Sequence, residues 1–153
     1  MPDTDVFIIS AIRSAIARGN ANGALHPLEP IELTTKIMAE AVRRARIDAK
    51  NLDDVIWGIV TPLGNQGANL ARLSVLNAGF PVHVPGVSIN RMCGSSQQAI
   101  HFASQAILAG DADLILAGGT EMMSHQALGA DYPDEFPTSI PHEMVHQGIS
   151  AEM

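Results

Sequence analysis

The chain has 153 residues, 46% of them hydrophobic and 16% charged. It is long enough to bury a core and too apolar for a disordered segment, yet no apolar run reaches the roughly 20 residues of a membrane-spanning helix. Its net charge of −7 argues against a basic surface for nucleic acid, while leaving room for one pocket that takes an anion.

The start, Met1-Pro2-Asp3-Thr4-Asp5, is acidic where a secretory signal would be basic, so a cytoplasmic protein is expected. Val6-Phe7-Ile8-Ile9 is a short, partly β-branched run that predicts a buried strand. A loop follows, through Gly19 to Gly23 and Pro27 to Pro30. Ile31, Leu33, Ile37, Met38, Ala41, Val42 and Ala45 then recur at helical spacing, with Pro30 suitably near the helix start. Arg43, Arg44 and Arg46 form the one local basic group and read as a solvated helix flank.

Asn51-Leu52-Asp53-Asp54 is a turn, and Val55 to Val60 is the second predicted strand. A second helix is expected from about Asn69 to Ala78, stopped by Gly79. Val87 to Asn90 is the third strand. The third helix is expected to start near Cys93 and to run to about Ala109, with Ala99, Ile100, Ala103, Ala106 and Ile107 as its apolar stripe. Leu114 to Ala117 is the fourth strand, closed by Gly118-Gly119. Uniformly apolar strands that alternate with helices predict an α/β fold: a layered βαβαβαβ sheet with helices on both faces. Beyond Ser124 the period is lost, and Pro133, Pro137 and Pro141 block regular ladders. Residues 1–124 are therefore expected to form the α/β domain and 125–153 the start of a loop domain, with Glu143 to Met153 as an emerging helix. No internal repeat is visible.

The only cysteine is Cys93, so neither an internal disulfide nor a Cys-based zinc site is available. It sits in Ser88-Ile89-Asn90-Arg91-Met92-Cys93-Gly94-Ser95-Ser96, where a strand ends, the chain turns and a helix begins. The free amides and positive dipole end of a helix N-terminus favour an anion, and the thiolate is the nucleophilic form of cysteine. The same amides can hold the oxyanion that forms when a thiolate attacks a carbonyl. Gly94 allows close approach to the backbone. Position alone leaves two readings open, a nucleophile and a small hydrophobe packed under the junction.

The segment Asn90-Arg91-Met92-Cys93-Gly94-Ser95-Ser96, with the Ala-rich helix and Gly110-Asp111-Ala112-Asp113 after it, resembles the nucleophile segment of the thiolases. Ala117-Gly118-Gly119-Thr120-Glu121-Met122-Met123-Ser124 is similar to that family's Gly-Gly-x-Glu-x-Met-Ser stretch. Ala11-Ile12-Arg13-Ser14-Ala15-Ile16 resembles its Arg-Thr-Pro-Ile-Gly element, with Ser14-Ala15 in place of Thr-Pro. Asn65-Gln66-Gly67 with Asn69-Leu70-Ala71-Arg72 looks like its Gly-Gln-x-x-Asn-x-Ala-Arg stretch. Gln97 stands where many thiolases carry an apolar residue. The matches run in family order from about Val6 to Ser124 and correspond to the N-terminal part of the family.

The resemblance implies acyl transfer through a thioester on Cys93, either thiolytic cleavage of a 3-ketoacyl-CoA or the reverse Claisen condensation of acyl-CoA. Coenzyme A and acyl-CoA would be substrates, and no separate cofactor or metal is implied. The Cys93 amide is expected to be one oxyanion donor. Val145-His146-Gln147-Gly148-Ile149-Ser150-Ala151-Glu152 resembles a His-Met-Gly-x-Thr-Ala-Glu stretch, which marks His146 as a substrate-binding residue near the pantetheine, with Gln147 replacing Met. The family's activating His, in a Gly-His-Pro context, and its second Cys belong to a C-terminal half. His83, His101, His125, His142 and His146 lack that context, so the chain is expected to be inactive by itself. A homodimer or homotetramer is implied, or a partner chain that supplies the C-terminal half. The other readings are a ketoacyl-synthase-like condensing enzyme and a noncatalytic thiolase-like subunit that binds a partner.

Among the remaining polar residues, Glu121 is expected to hydrogen-bond loop backbone, and Arg13 to tie the end of the first strand to a neighbouring element. Met122, Met123 and Met144 read as core or interface fillers. Asp131, Asp134 and Glu135 read as solvated loop acids. The six histidines, His26 included, are too scattered for a metal site.

Overall fold

The computed structural model describes residues 5–153, and the acidic stretch Met1 to Thr4 lies outside the described residues. Helix α1 spans Pro30–Ala45. Glu29 and Glu32 close a reciprocal capping box at its start, and Pro30 occupies its first turn, where a missing N–H costs nothing. The buried positions Pro30, Thr34, Met38 and Val42 recur every fourth residue and make one stripe. Arg43 and Arg44 lie on the opposite, exposed flank, both paired to Glu40 at 2.6 Å. The helix ends at Arg46 in the left-handed region, φ 57°.

Strand β1 (Asp54–Gly58) is central, with β2 (Val87–Ile89) and β3 (Ile115–Gly119) parallel to it on either side, in the order β2-β1-β3. Ile56 pairs with both Val87 and Ala117. Helix α2 (Leu70–Asn77) connects β1 to β2, and α3 (Ser95–Ala109) carries the chain from β2 across to β3. The two faces of the sheet hold separate cores. Val55, Trp57 and Ile59 pack with Met38 and Val42 of α1 and with Leu70, Ala71 and Val75 of α2. Ile56 packs with Ala99 and Ala103 of α3. A central strand covered on both sides explains the unbroken apolar run Val55-Ile56-Trp57. The indole N–H of Trp57 donates to Thr120 Oγ1 at 2.9 Å, and Thr120 shares a hydrogen bond of 2.8 Å with Thr34, so this polar trio is satisfied inside the core.

The layered α/β architecture with helices on both faces is as the sequence predicts, but one strand is missing. Val6 to Ile9 lies outside the sheet, with Phe7 and Ile8 more than three-quarters exposed. Strand propensity records how well side chains fit a pleated, covered surface rather than a backbone state the segment holds alone. Four apolar residues make no strand without a ladder partner. Here a cavity of about 1000 Å³ lies between residues 5–19 and the surfaces of α1, α3 and β3.

The first residues of β1 and β3 are clipped together. Asp53 Oδ2 accepts from the amides of Asp113 (2.8 Å) and Leu114 (2.9 Å), while its own N–H donates to Leu114 O at 2.9 Å. These amides hold the Asp53 carboxyl below its ordinary range by stabilising the charged form. A depressed carboxyl contributes stability at neutral pH that is lost as pH falls through its folded-state value. Asp53→Asn, whose amide oxygen still accepts but does not titrate, is therefore expected to flatten the acid limb of stability. Melting temperatures followed from neutral pH to below the carboxylate range would show a smaller acid loss in the variant than in the parent.

After β3 the chain runs without strand or long helix to α4 (Gln147–Glu152). Among the described residues no helix is long and apolar enough to cross a membrane.

Candidate active site

The carboxyl ends of parallel strands are where open α/β sheets place their ligands. The ends of β1 and β3 here meet the start of α3 around a cavity of about 510 Å³, lined by Cys93 together with Gly58, Val60, Ser96, Thr120 and Glu121 among others. Cys93 is exposed to it.

Three features build the turn. Asn90 follows β2, and its side chain spans the loop, accepting from the Met92 amide at 2.7 Å and donating to the Val60 carbonyl at 2.8 Å. Met92 takes a left-handed conformation, φ 48°, which costs a non-glycine residue about 1–2 kcal/mol. Ser95 closes the other side: its Oγ accepts from the Arg91 amide at 2.9 Å and donates to Met92 O at 2.5 Å. The three residues Arg91-Met92-Cys93 are thus held from both ends.

Helix α3 begins at Ser95 with Gly94 as its cap, later than the expected start near Cys93. The reason is Met92: a left-handed residue breaks the helical run, so Cys93 lies just before the helix rather than inside its first turn. The Gly94 and Ser95 amides are already bonded to Arg91 O (3.1 Å) and Met92 O (3.0 Å). Among the described residues, the amides of Cys93, Ser96 and Gln97 have no acceptor. An oxyanion held here would accordingly be met by the Cys93 amide and by those of the first turn.

Close backbone approach makes this junction possible. A Cβ on Gly58 would lie 2.5 Å from backbone atoms of Ser95 and Ser96, and one on Gly119 would lie 2.8 Å from both Gly58 O and Ser96 Cβ. The glycines at the ends of β1 and β3 let α3 sit directly on the sheet.

Glu121 belongs to the scaffold of this cavity. One carboxylate oxygen accepts from the amides of Val60 (2.8 Å) and Thr61 (3.4 Å), and the other accepts from Gln66 Nε2 at 3.2 Å. Gln66 is fully buried, donates also to Thr61 O at 3.0 Å, and accepts from the Met122 amide at 2.6 Å. Glu121→Ala would strand these donors, and leaving a buried donor unpaired costs about 1–3 kcal/mol. The expected outcome is a melting transition lowered by several degrees, read by circular dichroism.

The other sequence-predicted residues lie elsewhere. His146 is exposed, caps α4 by accepting from Gly148 N–H at 3.1 Å, and does not line the Cys93 cavity. Among the described residues Arg13 ties no elements together: its one hydrogen bond there is to the carbonyl of its neighbour Ser14, at 3.0 Å, because Val6 to Ile9 does not join the sheet that would bring it near one. Met122 is buried, whereas Met123 and Met144 are exposed. The rings of His26 and His125 lie 5.0 Å apart, tilted by 43°, with His125 Nε2 2.9 Å from His26 O. Among the described residues no histidine lines the Cys93 cavity, and no group of three His, Cys, Asp or Glu could hold a metal ion.

Sequence reasoning gave no role to Asn90, Gln66 or Asn69, although each stands in a quoted motif. Asn69 caps α2 by accepting from the Arg72 amide (3.3 Å) and donates to Gly86 O (2.9 Å), while Arg72 binds the carbonyls of Val82 and Val84, so this motif fixes the approach to β2. The available signal was an amide side chain in each loop that flanks a strand end.

Known proteins carry the same organisation. A family model for the thiolase N-terminal domain matches residues 6–152. A steroid 3-ketoacyl-CoA thiolase from Mycobacterium tuberculosis is 41% identical over 150 residues, covering 94% of this chain and 36% of that protein. A 3-ketoacyl-CoA thiolase from Pectobacterium carotovorum is 37% identical over 151 residues, covering 97% of this chain and 39% of that protein. The crystal structure of an acetyl-CoA acetyltransferase from Bacillus anthracis superposes with a TM-score of 0.63 at 40% identity, over 67% of this chain and 26% of that one. The chain thus spans little more than a third of the length of these curated relatives. A match over nearly every residue, together with the parallel sheet that presents Cys93 at its carboxyl edge, shows that this chain belongs to the thiolase family, through that family's N-terminal domain.

Proposed function

We propose that this chain is the nucleophile-bearing portion of an acyl-CoA C-acyltransferase, with Cys93 as the acyl acceptor. The observation that carries this reading is an exposed thiol in a cavity at the sheet's carboxyl edge, beside its own unpaired amide. In the thiolytic direction the Cys93 thiolate attacks the 3-keto carbon of a 3-ketoacyl-CoA. The bond between carbons 2 and 3 breaks, its electron pair stays on carbon 2, and protonation there gives acetyl-CoA. The shortened acyl group remains on Cys93 as a thioester. The thiol of a second coenzyme A then adds to that thioester, releasing acyl-CoA and restoring Cys93. Condensation runs the same steps backwards. The Cys93 amide and the first-turn amides of α3 supply the electrostatic half of this chemistry by stabilising the oxyanion.

The proton half needs groups from outside this chain. Following the family resemblance, a histidine that takes the thiol proton and a second cysteine that serves as acid and base belong to the family's C-terminal half; the assembly is a homodimer or homotetramer, or a partner chain supplies that half. His146 is assigned to the pantetheine arm of coenzyme A, and residues 125–153 to the start of a loop domain that covers it. The expected setting is the cytoplasm. Purified alone, the chain is expected to give no thiolysis of a 3-ketoacyl-CoA, and mixing it with the C-terminal portion of a relative is expected to give turnover. Turnover by the chain alone would overturn the division of labour.

A further inference from the structure

We infer that Asn90 is a positioning residue for Cys93, braced from beneath by Glu121 through the backbone of Val60. This inference rests on the nucleophile reading above and adds to it the residue that sets the sulfur's place.

A continuous set of hydrogen bonds links the ends of β1, β2 and β3. Glu121 takes the Val60 amide at 2.8 Å, and Asn90 Nδ2 donates to the carbonyl of the same residue at 2.8 Å. Asn90 Oδ1 takes the Met92 amide at 2.7 Å, and Met92 O takes the Ser95 hydroxyl and amide. Only one orientation of the Asn90 amide serves both contacts, since reversing it would set N–H against N–H and oxygen against oxygen. Gln66 fixes Glu121 in turn, and it is fully buried. Val60, Met92 and Glu121 all line the Cys93 cavity.

Met92 is where these bonds matter. Its left-handed backbone, φ 48°, is disfavoured for a methionine. Asn90 and Ser95 are the two side chains that bond its peptide groups. Without Asn90, Met92 relaxes toward the ordinary helical region, and Cys93, the next residue, rotates away from the unpaired amides. A displacement of the order of 1 Å at a reacting group can cost about a hundredfold in rate. Asn90 touches neither the sulfur nor the proposed substrate carbon; it acts through Met92.

The test is the rate of Cys93 alkylation by iodoacetamide across a pH series, in the purified chain, its Asn90→Ala variant and its Asn90→Ser variant. Asn90 is exposed, so water can pair both backbone groups in the variants, and melting curves check that each folds. The alanine variant is expected to react about tenfold more slowly at pH 7, with an altered pH profile and a nearly unchanged melting temperature. A serine hydroxyl can still accept from the amide two residues on, so Asn90→Ser is expected to recover a clear part of that loss. Equal rates in parent and Asn90→Ala would overturn the inference, and so would equal loss in both variants. The parent's rate against a free cysteine peptide tests the nucleophile reading separately. Because the histidine proposed to take the thiol proton lies outside this chain, that comparison is made in the assembled enzyme: an ordinary parent rate there would sink the nucleophile reading, whereas equal rates in parent and Asn90→Ala sink the positioning role alone.

Discussion

Cys93→Ser is expected to reduce thiolysis by a factor on the order of 10⁴ or more in the enzyme assembled from this chain and a C-terminal portion. The two side chains differ by one atom, and the cavity around position 93 is open, so the fold has no reason to change. The hydroxyl is a far weaker acid than a thiol and a poorer nucleophile toward a ketone carbon. An ester on serine would also exchange with coenzyme A more slowly than a thioester does. Both halves of the reaction therefore lose rate together, and the KM for the 3-ketoacyl-CoA should move little, because the substitution changes one atom of the nucleophile. Steady-state kinetics with matched melting curves separates this outcome from unfolding. A serine variant within tenfold of the parent would place the nucleophile at another residue.

The second large effect is expected at Gly58, which ends β1 beneath the start of α3. An added methyl there meets the Ser95 carbonyl carbon and the Ser96 nitrogen at 2.5 Å and the Ser95 side chain at 2.8 Å. The obstacle is backbone on both sides, which no rotamer change relieves. Overpacking of this kind costs about 1–3 kcal/mol and sometimes more, and for a chain of this size each kcal/mol lowers the melting temperature by about 2–4 °C. The relief available is a lift of the first turn of α3, and Cys93 lies two residues ahead of that turn. Gly58→Ala should thus lower stability and slow Cys93 alkylation in the same protein. Gly94→Ala is the stability control: its added methyl would meet only Arg91 O, at 3.4 Å, and its φ of −90° suits any residue. A Gly58→Ala protein that melts with the parent would mean that α3 sits farther from the sheet than described.

The elements that bury both faces were legible in the sequence. Val55-Ile56-Trp57 reads as a covered central strand because each residue is apolar, and the stripe through Met38 and Val42 reads as a helix face because its period is helical. Cys93 was legible because a strand, a turn and a helix meet at it. Two kinds of feature were not. Val6 to Ile9 has the composition of a strand, but composition carries no information about which edge would receive it. That Glu121 bonds loop backbone was legible, but its partners and the role of Gln66 were hidden because these bonds link distant loops: Gln66 reaches Met122 across 56 positions, and Glu121 reaches Val60 across 61. No local pattern reports such a partner. Asn90 was hidden differently, since its role depends on the left-handed residue that follows two places on.

Gly58, Met92 and Glu121 all act on the placement of one sulfur atom, and the most direct observation concerns that atom. The assembled enzyme, incubated with an acyl-CoA and quenched in acid, can be digested and mapped by mass spectrometry. An acyl mass is expected on the peptide that contains Cys93, removed when coenzyme A is added before the quench. An acyl group found on another residue, or turnover with Cys93 never acylated, would contradict the nucleophile role of Cys93.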